Sequence, residues 1–156
     1  MAPARPLATE RLTEYVTVVL DGQMFGLPIA RVQDVFVPEL LTRVPLSDPE
    51  IAGILNLRGR IITAVDLRCR LGLPPRREGM PPIAVGIDWR GESYGLLVDA
   101  VGEVIQLADS ERERNPVNLD AKLARVCAGV HRLEAQLMVV LDVERVLGSA
   151  AEPIAA

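Results

Sequence analysis

The chain repeats itself, and the repeat limits the folds open to it. A displacement of 69 residues places Gly22, Gly26, Leu27, Val32 and Val35 on Gly91, Gly95, Leu96, Val101 and Val104, with Phe25 on Tyr94 and Asp34 on Glu103. A displacement of 76 places Ala52, Gly53, Leu57, Asp66, Leu71 and Gly72 on Ala128, Gly129, Leu133, Asp142, Leu147 and Gly148. The change of offset means seven extra residues in the second copy, and the polar stretch Ala108–Lys122 is where they fall. Two copies are too few for an open solenoid. The expectation is two small strand-rich halves, about Tyr15–Gly72 and Ile83–Gly148, each closing its own sheet and packed on the other, since closure removes exposed strand edges.

Local signals give each copy the same order: hairpin, short helical turn, hairpin, capped helix. Asp21-Gly22, Arg58-Gly59 and Arg90-Gly91 each separate two β-rich runs. Gly accepts the positive φ of a tight turn, so each pair marks a hairpin. Asp66 caps a helix over Leu67–Leu71, Gly72 suits the left-handed position after it, and Pro74 and Pro75 forbid continuation. Asp142, Val143–Leu147 and Gly148 repeat that design. The core must be aliphatic: 49% of the 156 residues are hydrophobic, yet there are only two Phe, two Tyr and one Trp. An all-β fold with short helices follows. It occupies residues 14–148 as one domain, with flexible termini at 1–13 and 149–156.

Several function classes lack support. The formal net charge is −4 and no basic face stands out, which argues against a nucleic-acid partner. Arg68, Arg70, Arg76 and Arg77 do cluster, and they read as a solvated helix face and loop. Cys69 and Cys127 have no metal-like spacing and suit a reducing compartment as small buried hydrophobes. Met1–Thr13 has no signal-peptide pattern, and runs such as Leu137–Leu141 are too short to span a bilayer. There is no phosphate loop, zinc spacing or nucleophile motif, and His131 stands where the first copy has Leu55. The chain is therefore expected to be cytoplasmic and non-catalytic, with no cofactor, metal or membrane insertion. The competing expectation is a small-ligand barrel or an enzyme. Convergence of His131 with Asp88, Asp99 or Glu103 in one deep cleft would reveal it.

The segment IAGILNLRGRIITAVDLRCRLG, Ile51 to Gly72, resembles the signature segment of CheW-like domains. FGLPIARVQDV resembles the family's first hairpin exit, LTRVP its next strand, YGLLVDAVGEV the second-copy hairpin and MVVLDVERVL the C-terminal strand and helix. The likeness runs from Tyr15 to Leu147. It implies two SH3-like β-barrels and a chemotaxis adaptor that joins chemoreceptor cytoplasmic tips to the regulatory domain of the CheA histidine kinase, recruited to receptor arrays. It also implies a receptor-facing set of Val32, Asp34, Arg58, Gly95, Val101 and Val104, and a kinase-facing set of Val35, Gly53 and Gly59. The valines suit core and interface equally, while the glycines suit backbone roles. Asp34 is shorter than the Glu common at its place in the family. An ion pair between Asp34 and Arg58, near the groove between the halves, is expected.

Overall fold

A computed structural model describes residues 11–39, 41–43, 48–116 and 119–151. Of the ends expected to be flexible, 1–13 and 149–156, residues 1–10 and 152–156 lie outside it, while Leu12 and Thr13 stand in a strand and 149–151 in a helix; Val44 and Pro45 of the expected LTRVP strand also lie outside. Thr42 of that strand forms an isolated bridge to Ile54. Among the described residues there are ten strands. The first half contains β1 (Leu12–Leu20), β2 (Gln23–Pro28), β3 (Val32–Phe36), β4 (Ile51–Leu57), β5 (Arg60–Asp66) and α1 (Leu67–Arg70). The second contains β6 (Ile83–Trp89), β7 (Glu92–Val98), β8 (Ala100–Ala108), α2 (Ala121–Val126), β9 (Cys127–Arg132), β10 (Leu137–Leu141) and α3 (Val143–Ala151). The three expected hairpins are present. Asp21-Gly22, Arg58-Gly59 and Arg90-Gly91 have φ of 52 and 78, 53 and 83, and 50 and 80°, the positive pairs of a type I′ turn. The extra residues of the second copy go into a longer β8 and into α2.

Both caps form. Asp66 Oδ1 accepts from the Cys69 backbone N–H at 3.3 Å, and Asp142 Oδ1 from that of Arg145 at 3.2 Å. Gly72, at φ 77°, closes α1 as expected. Gly148 does not close α3, which runs through it to Ala151. No proline follows Gly148 at the spacing of Pro74 and Pro75, and glycine alone only weakens a helix.

The sheets contradict the expectation that each half closes its own. Sheet A has the order β8-β1-β2-β10-β9 and sheet B the order β3-β6-β7-β5-β4. Each sheet takes one hairpin from one half and three strands from the other, and the two orders match strand for strand. Connection length explains the exchange. β3 pairs antiparallel with β6, which pairs antiparallel with β7, so β3 runs parallel to β7. A self-closed first half would place β3 parallel to β2 on the far side of β1. Parallel strands in one sheet need a crossover of about a dozen residues. The β2–β3 link is the three-residue 3-10 turn Ile29–Arg31, and the β7–β8 link is Asp99 alone. Each chain segment must therefore pass directly into the other sheet.

Among the described residues three apolar cores result. The main one lies between the sheets and includes Val18, Phe25, Leu27, Leu67, Ile87, Trp89, Leu96, Leu141 and Leu147. Sheet B encloses Leu55, Ile62, Ala64, Ala84 and Leu97 on its other side, and sheet A encloses Tyr15, Met138 and Val140. One outer strand of each sheet is capped. Thr42 exchanges two 2.8 Å hydrogen bonds with Ile54 on β4, and Glu113 exchanges bonds of 2.7 and 2.9 Å with Val130 on β9. Gly53 and Gly129, at φ 154 and 139°, make room, since a Cβ would stand 2.4 Å from the Thr42 carbonyl oxygen and 2.8 Å from that of Glu113.

Arg77 is exposed as expected, but the arginines of α1 do not form a solvated face. Arg68 and Arg70 are only 7 and 5% exposed. Arg68 grips Asp99 through two hydrogen bonds, Nε to Oδ1 at 2.8 Å and Nη2 to Oδ2 at 2.6 Å, and donates to the Pro74 carbonyl at 2.7 Å. Arg70 donates to the Val146 and Arg145 carbonyls of α3. α1 sits at the junction of the two sheets, so its charged side chains point into the joint and need partners there.

Candidate partner-binding face

The Asn-Leu-Arg-Gly segment makes the β4–β5 turn at one end of sheet B. Asn56 Oδ1 accepts from the Gly59 backbone N–H at 2.9 Å, which stiffens the turn and leaves Arg58 at its tip in a left-handed conformation. Asp34, on β3, sits across a small cavity of about 50 Å³ that Arg58 also lines, with Arg60, Ile62, Asp88, Ser93 and Tyr94. Burial pushes the Tyr94 phenol up to about 12, and its hydrogen bond to Glu92 at 2.9 Å adds to the rise.

The expected Asp34–Arg58 ion pair does not form. The two share the cavity, yet no described residue pairs with Arg58. The Asp34 carboxylate lies over Gly86 instead, where an added Cβ would collide with it. Its short side chain keeps it against β6 rather than reaching the turn. The cavity does not lie between the two sheets: its residues come from both halves of the chain, and all belong to the strands and turn of sheet B.

The other sequence-named positions divide by burial. Val35 and Val104, equivalent in the two copies, are 45 and 49% exposed, and Gly59 is exposed. Val32 and Val101, also equivalent, pack against the main core. Gly95 is buried on β7, facing Ile62, Ala84 and Phe36 in the interior of sheet B, and Gly53 is buried under Thr42. Thus Val32, Asp34, Val35, Gly53, Arg58, Gly59 and Gly95 belong to sheet B, while Val101 and Val104 lie on the outer strand of sheet A.

Sequence reading missed other exposed apolar side chains. Val37 and Ile61 are 62 and 63% exposed, and Leu41 is 40% exposed. Beside them a groove of about 250 Å³ runs between Phe36–Glu39 and Leu55–Leu57. For Ile61 a signal was available: two successive Ile residues follow Arg60 at the start of β5, so one must face outward.

The groups that would mark a reactive cleft stay apart. Asp88 lines the sheet B cavity, and Asp99 is held by Arg68. Glu103 is exposed on β8, and His131 is buried within sheet A against the Tyr15 ring, 5.7 Å between centroids. Cys127 is buried, Cys69 is half-buried, both are free thiols, and burial raises both. Among the described residues no group of His, Cys, Asp and Glu could hold a metal ion, and no helix is long and apolar enough to cross a membrane.

The family model for the CheW-like domain matches residues 14–151. The chain belongs to the CheW-like family. It is 27% identical over 132 residues to a chemotaxis protein CheW of Bacillus subtilis, covering 85% of each chain. It is 27% identical over 134 residues to that of Thermotoga maritima, covering 86% of this chain and 87% of the relative. The crystal structure of the scaffolding protein TtCheW from Thermoanaerobacter tengcongensis is similar in fold, with a TM-score of 0.74 at 28% identity over 84% of this chain and 89% of that one. The two five-stranded sheets are thus the two SH3-like units of a CheW-like chain.

Proposed function

We propose that this chain is a non-catalytic cytoplasmic adaptor that links chemoreceptor cytoplasmic tips to the regulatory domain of the CheA histidine kinase. One observation carries the reading. Sheet B carries the uncommitted Arg58 on its β4–β5 turn and exposes the apolar side chains of Val35 and Ile61, with Val37 exposed just past β3. Apolar patches with a polar rim are what association surfaces offer, whereas a catalyst needs convergent groups. In this reading Arg58, with Asp34, Val32, Gly95, Val101 and Val104, belongs to the receptor-facing side. Val35, Gly53 and Gly59 belong to the kinase-facing side. Gly53 and Gly95 act indirectly, by shaping β4 and β7. Recruitment to receptor arrays follows from holding both partners at once.

Each contact alone is modest, and joining them raises the effective concentration of each partner. Titration calorimetry with a CheA regulatory domain, a receptor cytoplasmic fragment, and both together should give a ternary complex tighter than either pair. A pure protein that ignores both partners, and leaves kinase activity unchanged in a reconstituted array, sinks the proposal.

A further inference from the structure

Arg60, two residues past Arg58, is engaged where Arg58 is not. Its Nη2 donates to Asp88 Oδ1 at 3.1 Å and also to Ser93 Oγ, and Ser93 Oγ donates to the same carboxylate oxygen at 3.1 Å. The three residues stand on β5, β6 and β7, which are adjacent in the order β6-β7-β5, so the ring bridges three strands at the rim of the Arg58 cavity. Arg60 and Asp88 are 58 and 45% exposed. An ion pair this wet adds little to stability. Its effect is geometric. Arg60 opens β5 directly after the two-residue turn, and Asn56 grips the same turn from the β4 side. The turn is therefore held from both strands while the guanidinium at its tip stays free. Asp88 also neutralises Arg60, which leaves Arg58 as the cation on this rim without a partner of its own.

We propose that Arg60, Asp88 and Ser93 are positioning residues that hold the β4–β5 turn so that Arg58 meets a carboxylate of the receptor tip in a fixed orientation. The inference rests on the reading that Arg58 contacts the receptor. A guanidinium gains most from a carboxylate when the two planes align, and a turn already ordered loses less freedom on binding.

The test is a double-mutant cycle read by calorimetry against a purified chemoreceptor cytoplasmic hairpin fragment, with thermal melting of each variant alongside. Arg58→Ala should weaken binding about tenfold and Arg60→Ala about fourfold, with melting unchanged. Arg60→Ala added to Arg58→Ala should change binding less than about twofold, because Arg60 acts through Arg58. Arg60→Lys, which keeps the charge toward Asp88 but reaches Ser93 poorly, should recover part of the loss. Ser93→Ala should mimic Arg60→Ala in direction. Two outcomes overturn the inference while the receptor reading survives: full binding by Arg60→Ala when Arg58→Ala is weakened, or losses that multiply in the double variant, which would make Arg60 a direct contact. Full binding by Arg58→Ala overturns the receptor reading itself, and the inference with it.

Discussion

His131 shows how one residue's setting governs its chemistry. The first copy has Leu55 at the equivalent place, and both side chains are buried inside their sheets. Its Nε2 has no hydrogen-bond partner among the described residues. Burial lowers its proton affinity most, Arg112 lowers it further, and Glu111, Asp109 and Glu113 oppose the shift. A histidine kept neutral by the fold binds its proton more readily when unfolded, so its contribution is complete above the unfolded value of about 6.5 and declines as pH falls below it. Denaturation followed by Trp89 fluorescence should show stability dropping from pH 7 to pH 5, and His131→Leu should flatten that drop. An equal drop in both proteins would contradict the assignment. At Asp99 the balance is different. The Arg68 hydrogen bonds hold its carboxyl below the usual range, and both side chains are less than a tenth exposed. Asp99→Ala strands a buried guanidinium and should cost about 3 kcal/mol in chemical denaturation.

The helices carry a relation between the copies that alignment conceals. Arg68 on α1 and Glu144 on α3 are equivalent, 76 residues apart. Arg68 clamps Asp99 and comes within 3.9 Å of Asp21, whereas Glu144 accepts from Arg31 at 2.8 Å and from Trp89 Nε1 at 2.9 Å, with Arg90 close enough to favour its charged form. Asp21 and Arg90 are themselves equivalent. Each helix is tied to the link that follows the other half's first hairpin, and the polarity of the clamp is inverted. The edge strands β4 and β9 keep their device unchanged, a glycine beneath a capping segment. Gly53→Ala would force its methyl against the Thr42 carbonyl and should lower stability by about 2 kcal/mol or more while uncovering β4. Thermal melting and light scattering should show earlier unfolding and faster self-association than for Gly59→Ala, where nothing lies within 4 Å of an added Cβ.

At the scale of the molecule the exchange of hairpins makes each half dependent on the other. β1 and β2 find their sheet neighbours in β8 and β10, while β6 and β7 find theirs in β3 and β5. A chain cut near Gly79, in the α1–β6 link, should yield two fragments that are each unfolded alone and that recover native circular dichroism as a 1:1 complex when mixed. A first-half fragment that folded cooperatively by itself would contradict the exchange.

Hairpins, caps and the duplication were readable because each depends on residues close in the chain: Asp21-Gly22 dictates its turn, and Asp66 caps the helix beside it. The NLRG turn and its arginine were readable for the same reason. The exchange was implicit in the links Ile29–Arg31 and Asp99, but it becomes visible only when strand direction is combined with link length. The Asp34–Arg58 pair failed, and Arg60–Asp88 formed instead, because which side chains meet across a sheet depends on register and on which neighbour lies nearest. The buried Arg68–Asp99 clamp joins residues from different halves, and no local pattern separates such a guanidinium from a solvated one. Sequence by itself determined the elements and their twofold repetition, since local sterics and periodicity act within a few residues. Only tertiary structure decided which half supplies each sheet, which charges are buried and which arginine stays free, since those follow from burial and contact between distant segments.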